Sequence, residues 1–175
     1  GRGCGFLPLV GGLAAGAEKA YTPEGGITLE ELTLDVAALV DSFASGRSFY
    51  LTVMGEETSE FYTSDVLAKL FEAEGKGMYS VRQAIIGHVQ QGGIPSPFDR
   101  VNATRLAYSA IVNLDAQLAA GESDYVAASS ESPTLMAPMR FVLEDMDWEK
   151  QRPKHQWWRT LRPVFDQLSR RPGQE

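Results

Sequence analysis

Stretches with helical periodicity alternate with short apolar runs along the first 120 residues, and this alternation restricts the fold more than any other feature of the sequence. The predicted helices are Phe6–Ala17, Thr28–Gly46, Thr63–Ala73 and Pro97–Gly121. Runs typical of strands lie between them: one ending at Tyr21, then Phe49–Met54 and Ala84–Ile86. Strands separated by long helices usually pair in parallel. The sequence therefore predicts an α/β fold, a doubly wound, mostly parallel sheet flanked by helices, here as an incomplete domain.

Capping signals mark where two of these helices begin. Thr28 and Glu31 have the spacing of a capping box, and Ser96 and Asp99 repeat it with Pro97 in the first helical position. After Pro97 we expect a buried stripe made of Ala103, Ala107, Ala110, Leu114 and Leu118. The uninterrupted apolar run Ala84–Ile86 predicts a strand that is covered on both faces.

The tail of the chain has its own pattern. A tail helix is predicted over about residues 153–170, with Trp157 and Trp158 as core or subunit contacts and Pro163 as the cause of a bend. Residues 1–175 show no internal repeat or low-complexity stretch, so we treat them as part of one domain. The chain opens with GRGCG rather than methionine, and we expect it to be a piece of a longer polypeptide.

Composition excludes several classes of protein. The net charge of -7 disfavours binding to nucleic acid, because most of the surface repels a phosphodiester backbone. No apolar run is long enough to span a membrane. Cys4 is the single cysteine, so an internal disulfide cannot form, and a structural zinc site is improbable with two histidines. We therefore expect a cytoplasmic protein without a metal site in this segment.

The most unusual stretch is RQAIIGHVQQGGIPSPFDR, from Arg82 to Arg100. If Ala84–Ile86 is a parallel strand, His88 lies at its carboxyl end, where loops and helix N-termini of such folds bind ligands. In one extended strand Arg82 and His88 would lie roughly 20 Å apart, so they would contact different ends of a ligand or different sites. The alternative is that His88 is an ordinary loop residue and that Asp99 only caps a helix.

This stretch resembles the sugar-phosphate-binding signature of ATP-dependent 6-phosphofructokinases. The match consists of Arg82, then Gly87 and His88, then QQGG at residues 90–93, then Asp99 and Arg100. The opening GRGCG, the YTPE at residues 21–24, EGKG at 74–77 and PKHQWWRTLRP at 153–163 are also similar to the duplicated eukaryotic enzymes, in particular to the C-terminal part of their C-terminal half. The resemblance thus extends over most of the chain and implies a phosphofructokinase-like fold.

One position departs from the catalytic pattern of the family. Catalytic halves have HVQRGG, whereas this chain has HVQQGG with Gln91 in place of arginine. A glutamine offers a phosphate one neutral amide, whereas an arginine offers a full charge and a planar fork of donors. The resemblance implies that this half carries an allosteric pocket for fructose 2,6-bisphosphate in place of a substrate site.

The resemblance also implies a set of sugar-phosphate-binding residues: Gly1, Arg2, Glu24, Arg82, His88, Gln91 and Arg152. Glu24 would accept hydrogen bonds from sugar hydroxyls, and Arg82 and His88 would bind phosphate oxygens. An ungapped alignment puts Gln151 where the family has a basic residue, so Lys150 and Lys154 compete with Arg152 for that role. Glu24 could equally be a solvated loop acid, and Arg2 could be a disordered terminal residue.

The activity that the resemblance implies belongs to the parent protein. ATP and Mg²⁺ would be needed to phosphorylate fructose 6-phosphate in glycolysis, and the enzyme would be a homo- or hetero-oligomer. The family's glycine-rich ATP loop and its TIDND-like catalytic aspartate have no counterpart in these residues, so we expect the segment by itself to have no kinase activity. The alternatives are a non-catalytic module that binds fructose 2,6-bisphosphate or fructose 6-phosphate, and a segment that serves only as interface.

Overall fold

A computed structural model describes residues 2–121, 125–127 and 136–169 of the chain. The helices are α1 (Phe6–Ala15), α2 (Leu29–Ala44), α3 (Ser64–Gly75), α4 (Gly87–Gln91), α5 (Pro97–Ala120), α6 (Met139–Asp145) and α7 (Arg162–Ser169). The strands are β1 (Lys19–Tyr21), β2 (Thr52–Met54), β3 (Tyr125–Ala127), β4 (Met136–Pro138), β5 (Met146–Asp147) and β6 (Arg152–Pro153). Within these ranges no helix is both long and apolar enough to cross a membrane. Two compact units result, Gly1–Ala84 with Asp147–Glu175, and Ile85–Met146.

A parallel pair of strands lies at the centre of the first unit. β1 pairs with β2 in the register that puts Ala20 opposite Val53, and α2 forms the crossover between them. Successive side chains of a strand point to opposite faces of a sheet. Accordingly Ala20 and Tyr21 belong to two different hydrophobic clusters. Helices cover both faces of the pair, which is the doubly wound arrangement that the sequence predicts.

The cluster on the Ala20 face joins the start of the chain to its tail. Its buried members are Leu9, Ala17, Ala20, Trp158 and Phe165, contributed by α1, β1 and the tail. The guanidinium of Arg162 also donates to the carbonyl of Ala20 at 3.1 Å. The tail is therefore fixed to β1 by both apolar packing and a hydrogen bond.

The cluster on the Tyr21 face is built from α2 and α3, with Tyr21, Leu32, Leu39, Leu67 and Phe71 as its buried members. Tyr21 donates its hydroxyl to Asp35 at 2.6 Å, and Lys19 forms an ion pair with the same carboxylate at 2.8 Å. Burial, and then Asp35, raise the pKa of Tyr21 above its ordinary value. The hydroxyl thus remains a donor, and it anchors α2 to the strand.

The tail is helical over a shorter range than the sequence predicts. Arg152–Pro153 are a strand, and a 3-10 turn over Trp157–Leu161 leads into α7, with Pro163 at the second position of that helix. Pro163 thus follows the change from 3-10 to α geometry, and the bend expected there stays a prediction. Trp158 is a core residue, as predicted, whereas Trp157 is 52% exposed.

The second unit corrects two sequence predictions. Ala84–Ile86 is not a strand, because no strand within the described ranges pairs with it and α4 begins at Gly87. Ile85 is 79% exposed, so the run is not covered on both faces either. The predicted capping box of Ser96 and Asp99 is confirmed at the start of α5.

The face of α5 that we predicted to be buried is exposed. Leu114 and Leu118 are 54% and 68% exposed, and the buried position of the helix is Ser109. The half-buried side consists of Asn102, Leu106, Ala110, Asn113 and Gln117. The sequence shows the helical periodicity of the apolar residues, but which side of α5 packs against other elements depends on the tertiary structure.

Candidate functional site

A loop of small residues leads into α1 and lies against two other segments of the first unit. A methyl group on Gly3 would collide with the backbone carbonyl of Lys150, and one on Gly5 would collide with the carboxylate of Glu24. Close approach of this kind is possible only for glycine. Gly3 and Gly5 are therefore needed where the N-terminal loop meets the tail and the loop after β1.

Glu24 lies in a tight turn immediately after β1. The carbonyl of Thr22 accepts from the amides of Gly25 at 3.1 Å and Gly26 at 3.0 Å, and Gly26 has a φ of +68°. This turn aims the Glu24 side chain at the N-terminal loop, where Oε1 accepts from the Gly5 amide at 2.8 Å. The side chain is only 7% exposed. Glu24 is thus not a solvated loop acid.

Arg152 is the basic residue of the tail that reaches this position. Its Nη1 donates to the carbonyl of Gly3 at 3.0 Å across 149 residues of sequence, and the same nitrogen lies 3.7 Å from Glu24 Oε1. The arginine side chain is 15% exposed. Gln151, the residue indicated by an ungapped alignment, is exposed and has a φ of +51°. Lys150 and Lys154 are also exposed.

Arg2 and Arg82, the other predicted residues of the first unit that the structure describes, are at the surface. Arg2 forms an ion pair with Glu56 at 3.5 Å, and both side chains are about two-thirds exposed. Arg82 is exposed in the segment that follows α3. Gly1 lies outside the described residues. The structure therefore brings Glu24 and Arg152 together with the N-terminal loop, whereas Arg2, the residue before Gly3, is exposed.

His88 and Gln91 belong to the second unit and lie on α4, not at the end of a strand. They are three residues apart, so their exposed side chains project from the same side of this short helix. Because α4 begins at Gly87, Arg82 and His88 do not share one extended strand, and the strand-based separation of these two residues does not apply. Whether any of the seven residues binds a ligand stays a prediction.

The start of α5, close to His88 in sequence, has a strong cap. Ser96 accepts from the Asp99 amide at 3.2 Å, and Asp99 accepts from the Ser96 amide at 2.8 Å and from its hydroxyl at 2.7 Å. These hydrogen bonds, the hydroxyl first, lower the pKa of the exposed Asp99 below its ordinary value. Asp99 is therefore a capping residue in this structure, which is the alternative that the sequence left open.

Glu56 and Glu57 also lie beside the N-terminal loop, although the sequence did not predict them. Both follow Gly55 at the carboxyl end of β2, and Glu57 Oε2 lies 3.3 Å from the position that a Cβ on Gly3 would take. β1 and β2 are parallel neighbours, so acids that follow them emerge at one edge of the sheet. The sequence offered a signal for this position, since Glu24 follows the last residue of β1 by three positions and Glu56 follows the last residue of β2 by two.

Two further features do not add to the site. A hollow of about 180 Å³ lies between the end of α1 and α7, lined in part by Glu18, Arg47 and Ser169, and contains none of the seven predicted residues. In the part of the chain that the structure describes, no group of three or more His, Cys, Asp or Glu side chains could hold a metal ion.

Comparison with known proteins agrees with the sequence resemblance. The family model described as Phosphofructokinase matches residues 1–114. ATP-dependent 6-phosphofructokinase 1 of Caenorhabditis elegans is 34% identical over 179 residues, covering 95% of this chain and 22% of the relative. The platelet-type ATP-dependent 6-phosphofructokinase of Homo sapiens is 34% identical over 177 residues, covering 95% and 23%. The chain thus spans less than a quarter of the length of these relatives.

Solved structures show the same similarity. The phosphofructokinase structure from Saccharomyces cerevisiae has a TM-score of 0.82 and 31% identity, covering 94% of this chain and 23% of that one. The Pichia pastoris phosphofructokinase in the T-state has a TM-score of 0.76 at 31% identity, covering 94% and 21%.

Proposed function

The chain belongs to the phosphofructokinase family, and on this basis we propose that it is a regulatory portion of an ATP-dependent 6-phosphofructokinase. The whole enzyme would transfer the γ-phosphoryl group of ATP to the 1-hydroxyl of fructose 6-phosphate, giving ADP and fructose 1,6-bisphosphate in glycolysis. This portion would contribute an allosteric site for a phosphorylated sugar of the fructose 2,6-bisphosphate type.

The pairing of Glu24 with Arg152 is the observation that carries this proposal. A carboxylate that is 7% exposed and a guanidinium that is 15% exposed lie 3.7 Å apart beside a glycine loop. The carboxylate is an acceptor for sugar hydroxyls, and the guanidinium is a donor and a charge for phosphate. A sugar phosphate needs both chemistries within a few ångströms of each other.

Gln91 supports a regulatory role over a catalytic one. It stands where the catalytic halves that this chain resembles have an arginine, and it projects from the same side of α4 as His88. A neutral amide gives less stabilisation of a charge-rich phosphoryl transition state than a guanidinium does. This difference favours binding of an effector that is not itself transformed.

Catalysis would depend on parts of the parent protein beyond these residues. The Mg²⁺ and ATP of the reaction would be bound elsewhere in the enzyme, because the family's glycine-rich ATP loop and TIDND-like aspartate have no counterpart in these residues. We propose that the parent acts in the cytoplasm as a homo- or hetero-oligomer, and that this segment alone is inactive as a kinase.

A second candidate function follows from the exposed apolar face of α5. Ile111, Leu114 and Leu118 are each more than half exposed, and apolar patches of this kind commonly mark interaction surfaces. In this interpretation the segment serves mainly as an interface within the parent enzyme and has no ligand site of its own.

Two substitutions in the full-length protein test the proposed function. His88→Ala should raise the concentration of fructose 2,6-bisphosphate that gives half-maximal activation by about tenfold or more, because a charge-assisted phosphate contact is lost. Gln91→Arg should also change activation, since it adds a charge at the same surface. Gln90→Arg adds the same charge to a neighbouring position of α4 and is the matched control.

The outcomes separate the candidates. If activation is unchanged by His88→Ala and Gln91→Arg while catalysis with fructose 6-phosphate collapses, the regulatory assignment is wrong. If neither activation nor catalysis changes, but both variants shift the oligomer distribution in analytical ultracentrifugation, the interface interpretation is correct.

A further inference from the structure

We propose that Glu24 neutralises the charge of Arg152 in the ligand-free state, and that this charge contact has to give way when a phosphate group binds. This inference rests on the proposed sugar-phosphate site and adds a competition inside it. The consequence is that ligand binding and the attachment of the tail to the N-terminal loop are coupled.

The two contacts of Arg152 differ in kind. Nη1 lies at hydrogen-bond distance, 3.0 Å, from the Gly3 carbonyl, whereas its 3.7 Å separation from Glu24 Oε1 is a charge contact without a hydrogen bond. Glu24 Oε1 is already an acceptor for the Gly5 amide at 2.8 Å. The carboxylate therefore neutralises the arginine without holding it in a fixed geometry.

Burial makes this neutralisation effective. The Glu24 and Arg152 side chains are 7% and 15% exposed, so water and salt screen their attraction much less than that of the exposed Arg2–Glu56 pair. An anion that approaches Arg152 has to compete with the carboxylate and also meets its repulsion. In the ligand-free state Glu24 thus lowers the affinity of its own site for phosphate.

A phosphorylated sugar can displace Glu24 from Arg152 more readily than a simple anion can. Its phosphate offers up to two charges and three acceptor oxygens to the guanidinium, and its hydroxyls can donate to the Glu24 carboxylate that Arg152 leaves. Inorganic phosphate has no sugar hydroxyls to compensate for the loss of the ion pair. Glu24 would therefore select phosphorylated sugars over free phosphate.

Release of Arg152 would also act on the tail. Arg152 lies in β6, and its contacts with Gly3 and Glu24 connect the segment before the tail helix to the N-terminal loop. Further along the tail, Arg162 and Phe165 remain fixed to β1 and α1 by contacts that do not involve the site. A change at Arg152 is thus confined to the tail segment before Trp157.

The test is a double-mutant cycle on the full-length protein, with inorganic phosphate as the probe in calorimetric titrations. Glu24→Gln preserves the size of the side chain and an acceptor for the Gly5 amide but removes the charge that neutralises Arg152. It should tighten phosphate binding by about threefold or more, the size expected for a modest ion pair. In an Arg152→Gln background the same substitution should have no effect.

Controls and a second variant keep the result interpretable. Glu60→Gln removes an exposed acid from the loop between β2 and α3, outside the predicted site, and should leave phosphate affinity unchanged. Glu24→Asp moves the carboxylate away by one methylene and should tighten phosphate binding in the same direction to a smaller extent. With fructose 2,6-bisphosphate the gain from Glu24→Gln should be smaller than with phosphate, because a hydroxyl contact is lost.

The proposal is overturned if Glu24→Gln leaves phosphate binding unchanged or weakens it, as a purely structural role would predict. It is also overturned if the tightening persists in the Arg152→Gln background, or if phosphate does not bind. Failure of fructose 2,6-bisphosphate to bind the unmodified protein would instead refute the proposed function, while an Arg152-dependent gain with phosphate would still establish the competition.

Discussion

Phe165 is the residue through which the tail packs against the sheet, and its truncation gives a quantitative test of the fold. Its ring is 2% exposed and belongs to the cluster with Leu9, Ala20 and Trp158. The backbone of Gly12 approaches so closely that a Cβ there would lie 3.3 Å from the ring. Phe165→Ala therefore empties a space between α1, β1 and the tail that its neighbours cannot readily fill.

The expected cost follows from the volume removed. Truncation of a fully buried phenylalanine to alanine costs about 3–5 kcal/mol, from lost apolar burial together with the cavity left behind. Phe165→Leu retains most of the volume and should cost less than about 1.5 kcal/mol. Leu168→Ala, on the same helix at a position that is 70% exposed, should stay within about 0.5 kcal/mol and is the matched control.

Hydrogen–deuterium exchange of the full-length protein measures this cost locally. Since about 1.4 kcal/mol corresponds to a factor of ten, Phe165→Ala should speed exchange of the β1 and α1 amides by roughly a hundredfold to several thousandfold. Peptides from α2 and α3, on the other face of the sheet, should change less. An acceleration below about tenfold for Phe165→Ala, or an equal effect of Leu168→Ala, would refute the assignment of Phe165 as the anchor of the tail.

Two further predictions concern the glycine loop and the cap of α5. Gly5→Ala should destabilise the first unit by about 1–3 kcal/mol, because the added methyl would collide with the Glu24 carboxylate, whereas Gly11→Ala, with open space around its Cβ, should stabilise α1. Thermal unfolding measures both, and equal effects of the two variants would contradict the argument. Measured by NMR, the pKa of Asp99 should lie below its ordinary value of about 3.9 and should return towards it in Ser96→Ala. The stability that the Asp99 carboxylate confers should be present above the ordinary pKa and lost as the pH falls through the lower pKa of the folded state. An unchanged pKa in Ser96→Ala would show that the cap is not the cause.

Features set by neighbours in the sequence were predictable without the fold. The capping boxes Thr28–Glu31 and Ser96–Asp99 form as predicted, because each depends on hydrogen bonds within one turn of backbone. The resemblance of the signature at Arg82–Arg100 likewise identified the family, since it needs only residue types and spacing. Glu24 was named from the same resemblance, although its burial and its contact with Gly5 required the structure.

The sequence by itself determined where α2 and α5 begin, the parallel α/β arrangement and the family, because these depend on local hydrogen bonds, hydrophobic periodicity and short motifs. Only the tertiary structure decided that Arg152, rather than Gln151, meets Glu24, since the choice depends on a contact with Gly3 across 149 residues. It also decided that Ala84–Ile86 is not a strand and that the apolar stripe of α5 is exposed. An apolar run becomes a strand or a buried face only if another element packs beside it, and the residue types of the run do not specify which element that is.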